Sequence, residues 1–265
     1  MPYPPKRMVL SALGAVALLF GGLPSRAQEA GKSGEKPAAP EAQGELEHPK
    51  PIPVANLLPE LPTIPTRKGS RSFNVNFVDA SLLPRDKQGI WVLDFAFKPL
   101  RMRAVEIPGK GREQIHYLYY RITNHTGKPR ELVPQLILVT DTGKRYEEAV
   151  LPAAVKLIQV REDAAISLLG AVDLAGVIPP STKEGVDDTV FGVAIWQGVD
   201  PHADKMSIYV RGLSDGYKEN PSPDGGKPSV KYKTLRIDLI RRGDARNLNE
   251  KEIQLKEPPY EWIYW

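Results

Sequence analysis

The 265-residue chain contains no cysteine. That absence excludes disulfide staples, thiol nucleophiles and thiolate metal sites, so stability has to come from an apolar core. Histidine is scarce as well. The four present, His48, His116, His125 and His202, lie far apart, and none stands at ligand spacing from another. No Gly-x-Ser-x-Gly elbow occurs, and the glycine-containing runs GKGRE (109–113) and GGKPS (225–229) lack the phosphate-loop pattern and read as turns. No cofactor is expected. From Gln28 to Arg67 there is no aromatic residue, while prolines recur at 37, 40, 49, 51, 53, 59, 62 and 65. Such a segment buries too little surface to offset its conformational entropy, so 28–71 is expected to be a disordered or polyproline-like leader. Its second half interleaves Ile52, Val54, Leu57, Leu58, Leu61 and Ile64 with the prolines, which also fits a strap lying along a domain.

The charge balance is thinner than the isoelectric point of about 9.1 implies. Lys6 and Arg7 precede an apolar run from Met8 to Leu23, and Ser25-Arg26-Ala27 has small residues at a cleavage position. Residues 1–27 are expected to be a secretory signal, with an uncleaved anchor as the competing reading. Their loss lowers the basic count from 36 to 33 against 32 acids, and the net charge from +4 to +1. A chain so near neutral makes no overall electrostatic case for nucleic acid or anionic lipid. Without cysteine there is also no thiol for lipid attachment. The expected address is the periplasm, the cell envelope or the medium, with no membrane span once the signal is removed.

The stretch His116 to Tyr146 organises the rest. In HYLYYRITN, Leu118, Tyr120 and Ile122 fall on one side of a period-2 strand and Tyr117, Tyr119 and Arg121 on the other, which predicts a strand covered on both faces. Asn124, Thr126 and Gly127 end it with turn chemistry. PQLILVT is a second apolar run, and Asp141-Thr142-Gly143 turns the chain into Arg145 and Tyr146.

Upstream, SFNVNFV alternates from about Ser72, and Ile90 to Ile107 reads as two strands or one bent strand broken near Pro99. Downstream, Pro152 suits a first helical turn, and Val155 with Ile158 has helical spacing, predicting a helix over 153–163. TVFGVAIW and KMSIYVRGL are expected to be neighbouring strands. The segment SDGYKENPSPDGGKPS is expected to be an exposed loop. In SVKYKTLRIDLIRR the apolar phase shifts between Val230/Tyr232 and Leu235/Ile237/Leu239, which predicts a bulge near Lys233 or Thr234. Four aromatics in the last six residues predict a C-terminus fastened to the body. Seven to nine strands over roughly 190 residues fit one all-β antiparallel sandwich with long loops and one short helix, with two small sandwiches as the alternative.

YRITNHTGK, PQLILVTD and DTGKRY together resemble the immunoglobulin-like domains of exported bacterial proteins. VDLAGVIPPST, TVFGVAIW and SIYVRGL are similar to an uncharacterised family of secreted proteins from planctomycete-type bacteria. The resemblance covers most of Phe73 to Trp265. It implies an immunoglobulin-like sandwich and an exported address, and it carries no catalytic residue onto this chain.

The residues themselves offer three candidate chemistries. Asp200, His202 and Asp204 put three metal-ligand types on alternate positions of one loop, and Asp187 and Asp188 would complete a calcium site if their loop met it. The competing reading is a solvated Asp-Pro turn. Tyr117, Tyr119, Trp196 and Tyr209, with the C-terminal aromatics, either fill the core or form an exposed platform for glycan or peptide. Ser181-Thr182 with Lys183 and Glu184 reads as a turn cap, Glu147 and Glu148 as surface charge, and Asn124-His125-Thr126 as strand-end capping rather than a glycosylation sequon. The function expected from these features is a non-catalytic exported module acting by contact with an envelope or periplasmic protein. A carbohydrate-binding module is the alternative from another class. An enzyme or calcium-dependent accessory would rest on Asp200 to Asp204 alone.

Overall fold

The strand through Tyr117 to Tyr120 is buried from both sides because it runs through the middle layer of a three-layer arrangement. The structure is a computed structural model and describes residues 58–68, 77–81, 89–107, 109–221, 226–242 and 251–265. The expected signal, most of the expected leader and the run Ser72 to Asn76 lie outside the described residues. All of those described belong to the unit Lys50–Trp265.

Fourteen strands and one helix are found among the described residues: β1 (Ile64–Arg67), β2 (Val78–Asp79), β3 (Asp94–Phe97), β4 (Arg101–Ile107), β5 (Gly111–Thr123), β6 (Arg130–Leu132), β7 (Gln135–Thr140), β8 (Arg145–Tyr146), α1 (Pro152–Asp163), β9 (Gly176–Ile178), β10 (Val186–Gln197), β11 (Lys205–Arg211), β12 (Tyr217–Asn220), β13 (Ser229–Ile240) and β14 (Gln254–Tyr264). The first sheet runs β1-β10-β5-β3-β2, with β4 also on β5; the second runs β12-β13-β11-β7-β8, with β14 also on β13. All their strand pairs are antiparallel. One core joins them: Leu118, Tyr120 and Ile122 of β5 share a cluster with Leu136 and Leu138 of β7, Ile208 and Val210 of β11, and Leu235 and Ile237 of β13. The architecture is therefore one all-β sandwich, not two.

The opposite face of β5 carries Tyr117 and Tyr119, packed with Phe191, Val193 and Ile195 of β10 beneath Ala154 and Ile158 of α1, and Ile166 and Leu168 after it. Pro152 opens the helix where its missing N–H costs nothing, and no side chain caps Leu151 before it. α1 thus owes its place to the Ala154/Ile158 face it buries, full burial of one such aliphatic side chain contributing about 1.5–3 kcal/mol. No helix of the described residues is long and apolar enough to cross a membrane.

The domain begins earlier than its composition predicts. Leu61 is buried, its N–H donates to the Val177 carbonyl at 2.8 Å, and Ile64 to Arg67 pair with Thr189 to Val186 at the edge of the first sheet. A strap reading therefore fits residues 58–68. Pro65 is tolerated because β1 is an edge strand. The strap lies against Gly176, where a Cβ would come within 2.6 Å of the Pro59 carbonyl oxygen.

Two strand expectations are corrected. β10 and β11 do not pair: β10 lies between β1 and β5, and β11 between β13 and β7, so the Gly198–Asp204 link crosses from one sheet to the other. The phase shift in β13 is not a bulge at Lys233 or Thr234. Val230 and Tyr232 point to the outer face, beyond the end of the core, while Leu235, Ile237 and Leu239 point in. The register slips instead opposite Ile237 to Leu239, where β14 carries Pro258 and Pro259. The C-terminus is fastened as expected, with β14 paired to β13 along most of its length.

Candidate functional site

Asp200, His202 and Asp204 do not converge on a metal. Asp200 Oδ2 accepts from Lys144 Nζ at 2.8 Å, and its Oδ1 accepts the His202 backbone N–H at 3.0 Å, so the carboxylate closes its own turn. The Lys144 ammonium and the His202 amide hold its pKa below the ordinary value. Asp187 and Asp188 cannot complete the set: they begin β10 and Asp200 follows its end, roughly 35 Å of extended chain away. Among the described residues no group of three or more acidic or histidine side chains is arranged to hold a metal ion.

The aromatic candidates divide. Tyr117, Tyr119 and Trp196 are buried and so form no exposed platform. Tyr209 lies on the outer face of the second sheet, stacked on Trp265 with centroids 4.4 Å apart, and Arg145 covers the other side of that pair at 5.6 Å. Among the described residues the exposed rings are two that periodicity does not single out. Tyr217 on β12 and Tyr232 on β13 are direct cross-strand partners, 55% and 46% exposed, with Val230 at 43% on the same strand. All eight residues of Tyr217–Asn220 and Ser229–Tyr232 are exposed, so this end of β12 and β13 is a two-stranded arm standing clear of the sandwich core. Its base is held by Lys218 over the Tyr264 ring at 3.9 Å and Arg211 over Tyr232 at 4.8 Å.

Three polar clusters touch the first sheet. At one end His125 Nδ1 lies 2.5 Å from Asp94 and Nε2 2.9 Å from Asp187. With a carboxylate facing each nitrogen, the protonated ring can donate to both and so tie β3 to β10. The two carboxylates raise its pKa against a partial loss from burial. Beside it Asn124, fully buried, donates to the carbonyls of Lys128 and Ile178 and accepts from the backbone and hydroxyl of Thr126. Ser181 Oγ likewise accepts the Asp188 N–H at 3.0 Å, a turn cap.

Under α1, Glu162 is almost wholly enclosed and accepts from Lys98 Nζ at 3.0 Å, from Arg101, and from Tyr117 Oη at 3.0 Å. These partners hold its pKa down although burial alone would raise it. The third cluster was not legible as buried: Glu148 Oε1 accepts the Leu136 N–H at 2.8 Å while Oε2 and the Tyr120 hydroxyl are buried without partners. Burial raises the Glu148 pKa to about 7. His116, also enclosed, has its pKa lowered to about 4 by burial and by Arg241.

Along the outer edge of β4 lies a cleft of about 900 Å³. Arg101 and Arg103 reach it from β4, Arg112 from β5, Arg161 from the last turn of α1, and Lys251 from the segment that bridges to β4 before β14. Among the described residues its one acid is Glu252, which accepts from Arg101 Nε at 3.2 Å. These residues come from four separated segments, and the only local signal is the Arg101/Arg103 alternation on one face of β4. No protein-family model matches this chain, and no curated protein or solved structure does.

Proposed function

We propose that the chain is an exported, non-catalytic module of immunoglobulin-like type that works by protein contact in the periplasm or cell envelope. The observation that carries this reading is the arm of β12 and β13. An exposed hairpin is marginal by itself, and concentrating Tyr217, Val230 and Tyr232 there leaves apolar surface open to solvent beyond the contacts at its base. Tyrosine is a frequent anchor of protein interfaces, and the edge of β12 offers backbone groups for an added strand. Glu219, opposite Val230, shares the face of the rings, while Lys218 and Lys231 stand opposite each other on the reverse face, which favours a partner with a polar rim around an apolar pocket. The signal-like first 27 residues support the address. The non-catalytic part is supported by two of the four histidines: His125 has both nitrogens committed to carboxylates, and His116 is sealed in the core.

The test is capture of partners from the source envelope by the mature chain and by its Tyr217→Ser/Tyr232→Ser variant. A specific protein held by the first and lost by the second, at unchanged melting temperature, is the expected result. Equal capture by both would remove the arm from the account. The paired exposed tyrosines also favour a second reading, stacking on a neutral envelope polysaccharide. Calorimetric titration giving heat with such a polymer, and none with the variant, would select it.

A further inference from the structure

We propose that the arginine-lined cleft beside β4 is a binding site for an acidic glycan, a sugar chain bearing carboxylate or sulfate groups. The charge there is out of proportion to the chain. Among the described residues five cations face one carboxylate, Glu252, in a protein whose net charge without its first 27 residues is +1. Behind the wall Lys98 and Glu162 form an ion pair, so they offset none of this excess. Arg101 is bound to Glu162 and Glu252, whereas Arg103, Arg112, Arg161 and Lys251 make no ion pair with another described residue. Glu106 stands opposite Arg112 in the strand register without pairing with it. Like charges gathered around one open volume repel, and a multivalent oxyanion relieves that repulsion.

The lining selects among polyanions. Arginine forks match the planar two-oxygen geometry of carboxylate and the oxygens of sulfate. Gln114 and Glu252 add an amide and a carboxylate suited to sugar hydroxyls. Tyr117 is the one aromatic among the described residues of the wall, and its ring is buried with its hydroxyl on Glu162, so it offers no face for a base to stack on. Among the described residues of the wall only Met102 and Ala104 are aliphatic, which leaves little for the apolar side chains of an acidic protein segment to pack against. At about 900 Å³ the cleft takes several sugar units rather than a single small anion. It lies by the end of β13 opposite the arm, and its ligand does not depend on the arm's partner.

The test is calorimetric titration of the chain without its first 27 residues against polygalacturonate, dextran sulfate, neutral dextran, poly-glutamate and inorganic polyphosphate. Binding of polygalacturonate or dextran sulfate, absent for dextran and weakening with added salt, is expected, and the two acidic glycans distinguish carboxylate from sulfate recognition. The double variant Arg103→Gln/Arg161→Gln is expected to lose about tenfold or more in affinity, while Lys218→Gln/Lys231→Gln on the arm changes it little. Melting temperatures check that both variants fold, and single substitutions replace the double one if it does not. The proposal is overturned if no acidic glycan binds, if dextran binds equally, or if the arm variant loses as much as the cleft variant. Tighter binding of poly-glutamate or polyphosphate overturns the glycan assignment.

Discussion

Replacing Glu148 by glutamine isolates what a buried carboxyl costs this fold. In the native protein Oε1 is fixed by the Leu136 N–H, while Oε2 is enclosed with no partner. Burial lifts the pKa from an ordinary 4.5 to about 7. The acid is therefore protonated in the folded state over a range where the unfolded chain has already ionised. The contribution of this one group to stability is greatest below pH 4.5, falls as pH rises from 4.5 to 7, and levels off above. At about 1.4 kcal/mol per unit, the gap withholds roughly 3 kcal/mol at pH 8. Glutamine has the shape of the protonated acid, keeps the bond from Leu136 and cannot ionise. Urea unfolding from pH 4.5 to 8 should show the variant near parity at the acid end and more stable by roughly 3 kcal/mol at the basic end. His116, lowered to about 4, has the opposite slope: its contribution is complete above pH 6.5 and lost as pH falls toward 4. That slope is present in both proteins and cancels in their difference. A variant less stable by the same amount at every pH would refute the reasoning and show that Glu148 is not held neutral.

Glu162→Gln leaves Lys98 and Arg101 without their enclosed acid, and it should destabilise the fold by about 3–5 kcal/mol in denaturant titration at neutral pH. A loss under 1 kcal/mol would mean the cluster is solvated. His125→Ala removes a charge whose folded pKa is raised, so its effect belongs below pH 6.5 and disappears as pH rises through the folded value. The loss at pH 5.5, screened because the ring is part-exposed, should be about 1 kcal/mol, with almost none at pH 9. Gly192→Ala would place a Cβ 2.5 Å from the Tyr120 ring and 2.9 Å from Leu174, and thermal unfolding should show a loss of about 1–3 kcal/mol.

Periodicity carried the sequence reading where one strand or helix interacts with a layer on each side. Alternation in β5 identified both of its buried faces, and the Val155/Ile158 spacing located α1 to within one residue. It failed where the answer depends on which strands meet. β10 and β11 are neighbours in sequence and lie in different sheets, because a seven-residue link is long enough to cross a sandwich. Seven of the fourteen strands have four residues or fewer, too short to show a period, and β1 is further disguised by its prolines. The Asp200 loop displayed ligand types at alternate positions, but Lys144, 56 residues away, neutralises it. Glu148 reads as surface charge beside Glu147, and only the packing of β7 and β5 reveals that it is enclosed. The cleft combines side chains as distant as Arg101 and Lys251, a separation no local pattern spans.

The most direct test of the contact reading is site-specific photo-crosslinking in the source envelope, with the photoreactive residue placed at Tyr217, at Tyr232 and, as a control on another face, at Val172, which is more exposed than either. The account predicts one dominant protein adduct from the two arm positions and none from Val172. No adduct from the arm, or the same adducts from all three positions, would contradict it.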